Sequence, residues 1–301
     1  MPCYRPIFGY RGHLRGASGK RVITFKRTEA RGDERLVLPC GECIGCKFER
    51  SRQWAVRCMH ESQLHLHNAF VTLTYDDEHL PHGGTLVKRD LQLFMKRLRK
   101  RFGNGVRFYA CGEYGDMGRR PHYHLLLFGI RFDDQKPIAK AKGGEVLYTS
   151  AVLGELWPFG FNNIGDVTFE SCAYVARYIL KKMYGPDSAD HYETLLDTGE
   201  IYTLEPEFTV MSRRPGIAAV WYSRFGNGVR DHDSVVINGH EQMPPRFYDL
   251  KYELLDIVGF ERVKLERRRR AILFRVNATP DRLRVRELVE IRKQQIFLRR
   301  S

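Results

Sequence analysis

Between Phe70 and Phe128 the chain is punctuated in a way that leaves few folds open. Phe70-Val71-Thr72-Leu73-Thr74-Tyr75 alternates apolar residues with threonine and is rich in β-branched and aromatic side chains, the signature of a half-buried strand. Lys88–Arg101 carries Leu91, Phe94, Met95 and Leu98 at helical spacing, with basic residues on the other face, and Gly103-Asn104-Gly105 stops it. Val106–Cys111 is a second strand. The turn Gly115–Pro121 leads into a third, His122–Phe128, closed by Gly129. Strands joined by a short turn pair antiparallel.

Elsewhere the pattern is less regular. Trp54, Val56, Met59, Leu64 and Leu66 predict a helix from Arg50 to Leu66, and Ser171–Tyr184 another, closed by Gly185-Pro186. Short strands are expected at Arg21–Phe25 and Arg35–Leu38. Residues 131–150 are polar and predicted as loop, Leu156–Val167 as turns, and 186–260 as irregular chain. The expected division is a Cys-rich N-terminal element over 1–50, a core domain over 51–225 and a basic C-terminal region over 226–301.

Hydrophobic residues make up 43% of the 301 and charged residues 29%, which excludes a disordered or fibrous chain. No apolar run approaches the ~20 residues of a membrane helix, and Met1–Arg5 lacks a signal core. A cytoplasmic protein without a membrane partner is expected. The net charge of +14 calls for an anionic partner, and nucleic acid is the commonest. From Glu261 onward there are 14 Lys/Arg against 5 Asp/Glu, so +9 of the +14 sits in the tail, including Arg267–Arg270. That tail is either a DNA-gripping segment or a solvated helix face.

The seven cysteines are odd in number and follow no secretory signal, which argues against a disulfide framework. Cys40-x-x-Cys43-x-x-Cys46 sets three thiols within seven residues. Zinc takes four ligands, and Cys3 is the expected fourth, with Cys58 the alternative; an iron–sulfur cluster is a further reading. A second set of candidate ligands is His122 and His124. On a strand, i and i+2 share a face, and Glu113 on the preceding strand falls beside His122 across an antiparallel turn. Two imidazoles and a carboxylate leave positions open for water and substrate oxygen, which suits Mg²⁺ or Mn²⁺. Tyr174 and Tyr178, at i and i+4 of a helix, offer two hydroxyls on one face, and a tyrosine oxygen is a competent nucleophile toward phosphorus.

Taken in order, Phe70–Tyr75, Glu113 with Pro121-His122-Tyr123-His124, and Tyr174-Val175-Ala176-Arg177-Tyr178-Ile179-Leu180-Lys181-Lys182 resemble the three motifs of HUH rolling-circle replication initiators. With Cys40–Cys46, Arg119–His124 and Met211-Ser212-Arg213-Arg214-Pro215-Gly216-Ile217, the resemblance narrows to the initiators of small single-stranded DNA phages, the gokushovirus branch of the Microviridae, over roughly residues 1–225. It implies an α+β core, an antiparallel sheet with helices on one side as in a ferredoxin- or RRM-like palm, and a divalent cation on His122, His124 and Glu113. It also implies nicking by Tyr174 and Tyr178, and phosphate contact by Lys181 or Lys182. The attack would leave a 5′-phosphotyrosine link and end in strand rejoining. DNA contacts are expected from the motif arginines Arg119, Arg120, Arg213 and Arg214. The partners would be single-stranded DNA and the origin duplex in a bacterial cytoplasm. No Gly-x-x-x-x-Gly-Lys loop occurs, so a host helicase and polymerase would unwind and copy. Relaxases and transposases share this chemistry. A zinc-containing DNA-binding regulator without catalysis is the reading from another class.

Overall fold

Alternating strands must bury one face, and the computed structural model shows here a sheet that buries two. It describes residues 3–16, 19–115, 118–140, 144–177, 188–196 and 198–300, with backbone alone for 296–300. In chain order the first elements are β1 (Ile7–Arg15), β2 (Arg21–Thr24), β3 (Leu36–Leu38), α1 (Ile44–Ser62), β4 (Asn68–Tyr75) and α2 (Lys88–Phe102). There follow β5 (Arg107–Tyr114), β6 (Pro121–Phe128), β7 (Lys136–Lys140), β8 (Val146–Thr149), α3 (Ala151–Leu156), β9 (Gly160–Gly165) and α4 (Phe169–Arg177). Then come α5 (Ser188–Tyr192), β10 (Glu193–Leu195), β11 (Ile201–Thr203), β12 (Phe208–Met211), α6 (Ala219–His232), β13 (Val235–Ile237) and β14 (His240–Gln242). The last helices are α7 (Arg246–Leu255), α8 (Ile257–Ile272) and α9 (Pro280–Arg300).

Seven strands form one antiparallel sheet in the order β12-β5-β6-β4-β9-β8-β7. Side chains alternate between its faces. Val71, Leu73 and Tyr75 of β4, Ala110 of β5 and Leu125 and Leu127 of β6 point to one face, where Leu91, Phe94 and Leu98 of α2 and Leu153 of α3 close a core. Tyr109, Cys111, Leu126 and Phe128 point to the other, against Ala55, Val56 and Cys58 of α1, Cys172 and Val175 of α4, and Tyr222 and Tyr248 of α6 and α7. The α+β class holds. The expected one-sided layering does not, because the odd and even residues of β5 and β6 are both apolar and each set requires cover.

Three segments expected to be irregular are ordered. Residues 131–150 contain the β7–β8 hairpin; β7 is exposed along its whole length, so its lysines mark an edge strand and not a loop. Leu156–Val167 contains β9, which pairs with β4 from Phe70↔Gly165 to Tyr75↔Gly160. Residues 186–260 contain α6 and α7, whose tyrosines, among others, fill the second core, and β12, the far edge of the sheet.

The chain divides into two compact units, Ser51–Glu261 with the seven-stranded sheet, and Met1–Arg50 with Arg262–Ser301. In the second unit β1 pairs with β2 and with β3. Tyr4, Cys43 and Leu283 are buried together there, and Arg5 pairs with Glu287 of α9 at 2.8 Å.

Candidate metal and nucleophile centre

The register of β5 against β6 sets Glu113 opposite His122 and Cys111 opposite His124, while β4 sets Thr72 opposite His124. All project from the face covered by α1 and α4. His122 Nε2 lies 3.1 Å and His124 Nε2 2.8 Å from the same oxygen, Glu113 Oε1. Glu113 and His124 are buried and His122 is half-buried at the rim. The Thr72 hydroxyl lies 2.9 Å from His124 Nδ1. With a cation at Nε2, Nδ1–H would donate to this hydroxyl and leave the Nε2 lone pair to the ion, the arrangement that supports metal-binding histidines. Two imidazole nitrogens and a carboxylate, all within 4.8 Å of one another, are a fitting donor set for a borderline or hard divalent cation. Thr72 was not singled out from the sequence. Its only signal there is its place on the polar face of an alternating strand.

The helix α4 begins where Thr168 and Ser171 exchange hydrogen bonds, Thr168 N–H to Ser171 Oγ at 2.9 Å and Ser171 N–H to Thr168 Oγ1 at 3.2 Å. Cys172, Val175 and Ala176 face the core, and Ser51 of α1 donates to the Ala173 carbonyl. Tyr174 therefore stands off the core side. Its ring is 5.1 Å from the His124 ring in an edge-to-face pair and 6.2 Å from that of Phe70. At 37% exposure it is open to a ligand. Tyr178, Lys181 and Lys182 lie outside the described residues.

The motif arginines are dispersed. Arg120 donates to the Tyr75 carbonyl at 2.9 Å and pairs with Asp77. Arg119 donates to the His191 carbonyl and lies over the Tyr114 ring. Arg213 and Arg214 are exposed on a loop fastened by Arg57, which donates to the Ile217 carbonyl at 2.9 Å, and by Arg107, which donates to the Pro215 carbonyl at 2.8 Å.

A second cluster lies in the other unit. Sγ–Sγ distances are 3.6 Å for Cys3–Cys40 and 3.9 Å for Cys40–Cys46 and Cys43–Cys3. Four thiolates about 2.3 Å from one tetrahedral ion stand about 3.8 Å apart. Backbone N–H groups of Tyr4, Cys40, Cys43 and Cys46 donate to these sulfurs at 3.2–3.5 Å. Burial pushes the Cys43 thiol up, but N–H donors outweigh it and bring it down to about 7. Cys58, the alternative fourth ligand, is buried in the second core of the sheet unit, next to Cys172. Among the described residues, these four cysteines and the Glu113–His122–His124 set are the groups able to hold a metal ion.

The family model of replication-associated protein ORF2/G2P matches residues 68–183, the stretch that carries β4, β5, β6 and α4. Replication-associated protein VP4 of Bdellovibrio phage phiMH2K is 34% identical over 84% of this chain and 78% of its own length. Replication-associated protein ORF2 of Spiroplasma virus 4 is 32% identical over 77% of this chain and 74% of its own. Replication-associated protein ORF4 of Chlamydia phage 1 is 36% identical over 48% of this chain and 38% of its own. No solved structure matches the chain.

Proposed function

The chain belongs to the replication-associated protein ORF2/G2P family, and from that premise we propose that it initiates replication by nicking single-stranded origin DNA through tyrosine attack. The observation that supports this most is the convergence of His122 and His124 on the Glu113 carboxylate, 3.1 and 2.8 Å away, with the Tyr174 ring 5.1 Å from His124. Nothing in a structural role requires two imidazoles to share one buried carboxylate beside a half-exposed tyrosine.

In this reading His122, His124 and Glu113 hold Mg²⁺ or Mn²⁺, which when bound would neutralise charge on the scissile phosphate. The hydroxyl oxygen of Tyr174 or Tyr178 attacks phosphorus, and the bond from phosphorus to the 3′ oxygen breaks. The phenol proton ends on that oxygen, so the products are a 5′-phosphotyrosine and a free 3′-OH that primes synthesis. One phosphodiester replaces another, so no external energy source is needed. After one round the second tyrosine cuts the new junction, and the released strand's 3′-OH attacks the first phosphotyrosine to close the circle. Lys181 or Lys182 steadies the phosphate. Unwinding and copying are left to a host helicase and polymerase, and Cys3, Cys40, Cys43 and Cys46 hold a structural zinc.

A nicking assay on labelled single-stranded origin DNA, with and without Mg²⁺, tests the reading. Tyr174→Phe and Tyr178→Phe are each expected to retain single-step nicking and lose multi-round transfer, and the double variant to form no covalent adduct. An adduct formed by the double variant would overturn the tyrosine assignment. Stable binding without any adduct would favour the non-catalytic regulator.

A further inference from the structure

On the sheet face opposite His122 and His124, α2 and the edge strand β12 flank a groove of about 500 Å³. Five cations line it, Lys88, Arg89, Lys96 and Arg99 from α2 and Arg213 from the loop after β12, and no carboxylate does. None of the five forms an ion pair with a described carboxylate. Arg99 is the sharpest case. Its Nε is buried without a hydrogen-bond partner, while its guanidinium lies over the Phe108 ring at 5.3 Å. Lys88 similarly lies over the Phe208 ring, at 5.4 Å. Residues 88, 92 and 96 recur every four positions and 99 follows three later, so Lys88, Gln92, Lys96 and Arg99 make one stripe along the helix.

An exposed helix face that only needs solubility carries both signs of charge and i,i+4 pairs. This stripe carries one sign and runs beside an apolar floor that includes Phe108, Met95 and Val210. At a rise of 1.5 Å per residue, Lys88 and Arg99 are about 16 Å apart along the axis, a span of about five nucleotides at the 3.4 Å spacing of one stacked strand. Cations of one sign set along a groove, with an arginine plane seated on a phenylalanine, are the pattern of a nucleic-acid track that neutralises phosphates.

We propose that the α2–β12 groove is a second DNA track, which holds a strand on the sheet face away from the candidate nicking centre. The proposal rests on the reading of the chain as a DNA-nicking initiator only for the identity of the polyanion. Such a track would keep the origin strand or its displaced partner on the protein while the other face reacts.

The test is fluorescence anisotropy of full-length protein with a labelled single strand and with a duplex, titrated over a range of salt concentrations without divalent cation. Lys88→Gln/Lys96→Gln removes two exposed charges from the groove. Lys136→Gln/Lys140→Gln removes the same charge from the exposed strand β7 at the far edge of the sheet. For the groove pair the single-strand salt slope is expected to fall by about 1.4, and affinity at 0.1 M salt by about 25-fold. The β7 pair is expected to leave both unchanged. Equal losses in the two variants would mean generic charge attraction, and no loss in the groove pair would mean DNA runs elsewhere; either result overturns the proposal. Because cleavage is not read, a chain that never nicks can pass this test and one that nicks can fail it.

Discussion

Thr72 stands behind the candidate metal set. Its hydroxyl, 2.9 Å from His124 Nδ1, fixes which imidazole nitrogen faces Glu113. Thr72→Val keeps the β-branched shape and removes the acceptor. Calorimetric titration with Mn²⁺ should show affinity reduced about 10–100-fold, with the melting temperature little changed. Glu61 is a buried carboxylate of a different kind. Burial alone would raise its pKa, but His65 Nε2 at 3.5 Å and hydrogen bonds from the Ala218 N–H and Arg107 outweigh burial and hold it below the usual 4.5. A carboxyl depressed by folding stabilises the fold above its unfolded pKa, and that stability disappears as pH falls through the folded value. Denaturant unfolding should show wild type losing stability on acidification below about pH 4.5, whereas Glu61→Gln should be less stable by about 3 kcal/mol at neutral pH and flatter with acid. A Glu61→Gln curve as steep as the wild type would remove the carboxyl from this role.

The elements hold the site through pairing register. The centre exists because β6 sits between β4 and β5, and a slip of one residue would turn His122 and His124 to the α2 face. Gly160 guards the other side of β4. Its φ of +145° lies where L side chains are strained, and a Cβ there would come within 2.5 Å of the Thr74 carbonyl oxygen and onto the Asp76 amide. Gly160→Ala should therefore loosen the β9–β4 pairing. The expected cost is about 3 kcal/mol or more by denaturant unfolding, with faster hydrogen exchange at the β4 and β9 amides. Exchange as slow as in the wild type would mean the strands accommodate the methyl. The β7–β8 hairpin, α6, α7 and β9 were not legible in the sequence. Their amphipathic signals are short or interrupted, as in Gly226 and Gly228 within α6; strand pairing orders β7, β8 and β9, and packing on the sheet orders α6 and α7.

Across the whole molecule, two compact units carry two candidate metal sets of opposite chemistry, one sulfur-rich and one of nitrogen and oxygen. They should respond differently to chelation. Metal analysis should find about one zinc per chain that survives mild chelation, and Cys40→Ser should lose it. Strong chelation should lower the melting of residues 1–50 with 262–301, read by calorimetry, and leave that of residues 51–261 in place. A chain free of zinc with unchanged melting would sink the zinc assignment and leave the nicking proposal standing. The sequence by itself determined the strands around the centre, the placing of His122 and His124 on one face, and the gathering of Cys40, Cys43 and Cys46, because strand alternation and close spacing act within a few residues. The tertiary structure alone decided that Cys3 and not Cys58 completes the thiol set, that both sheet faces are covered, that Thr72 backs His124, and that a one-signed stripe of α2 meets β12. These are contacts between residues dozens of positions apart, and which residues meet is settled by packing and register, which no local periodicity encodes.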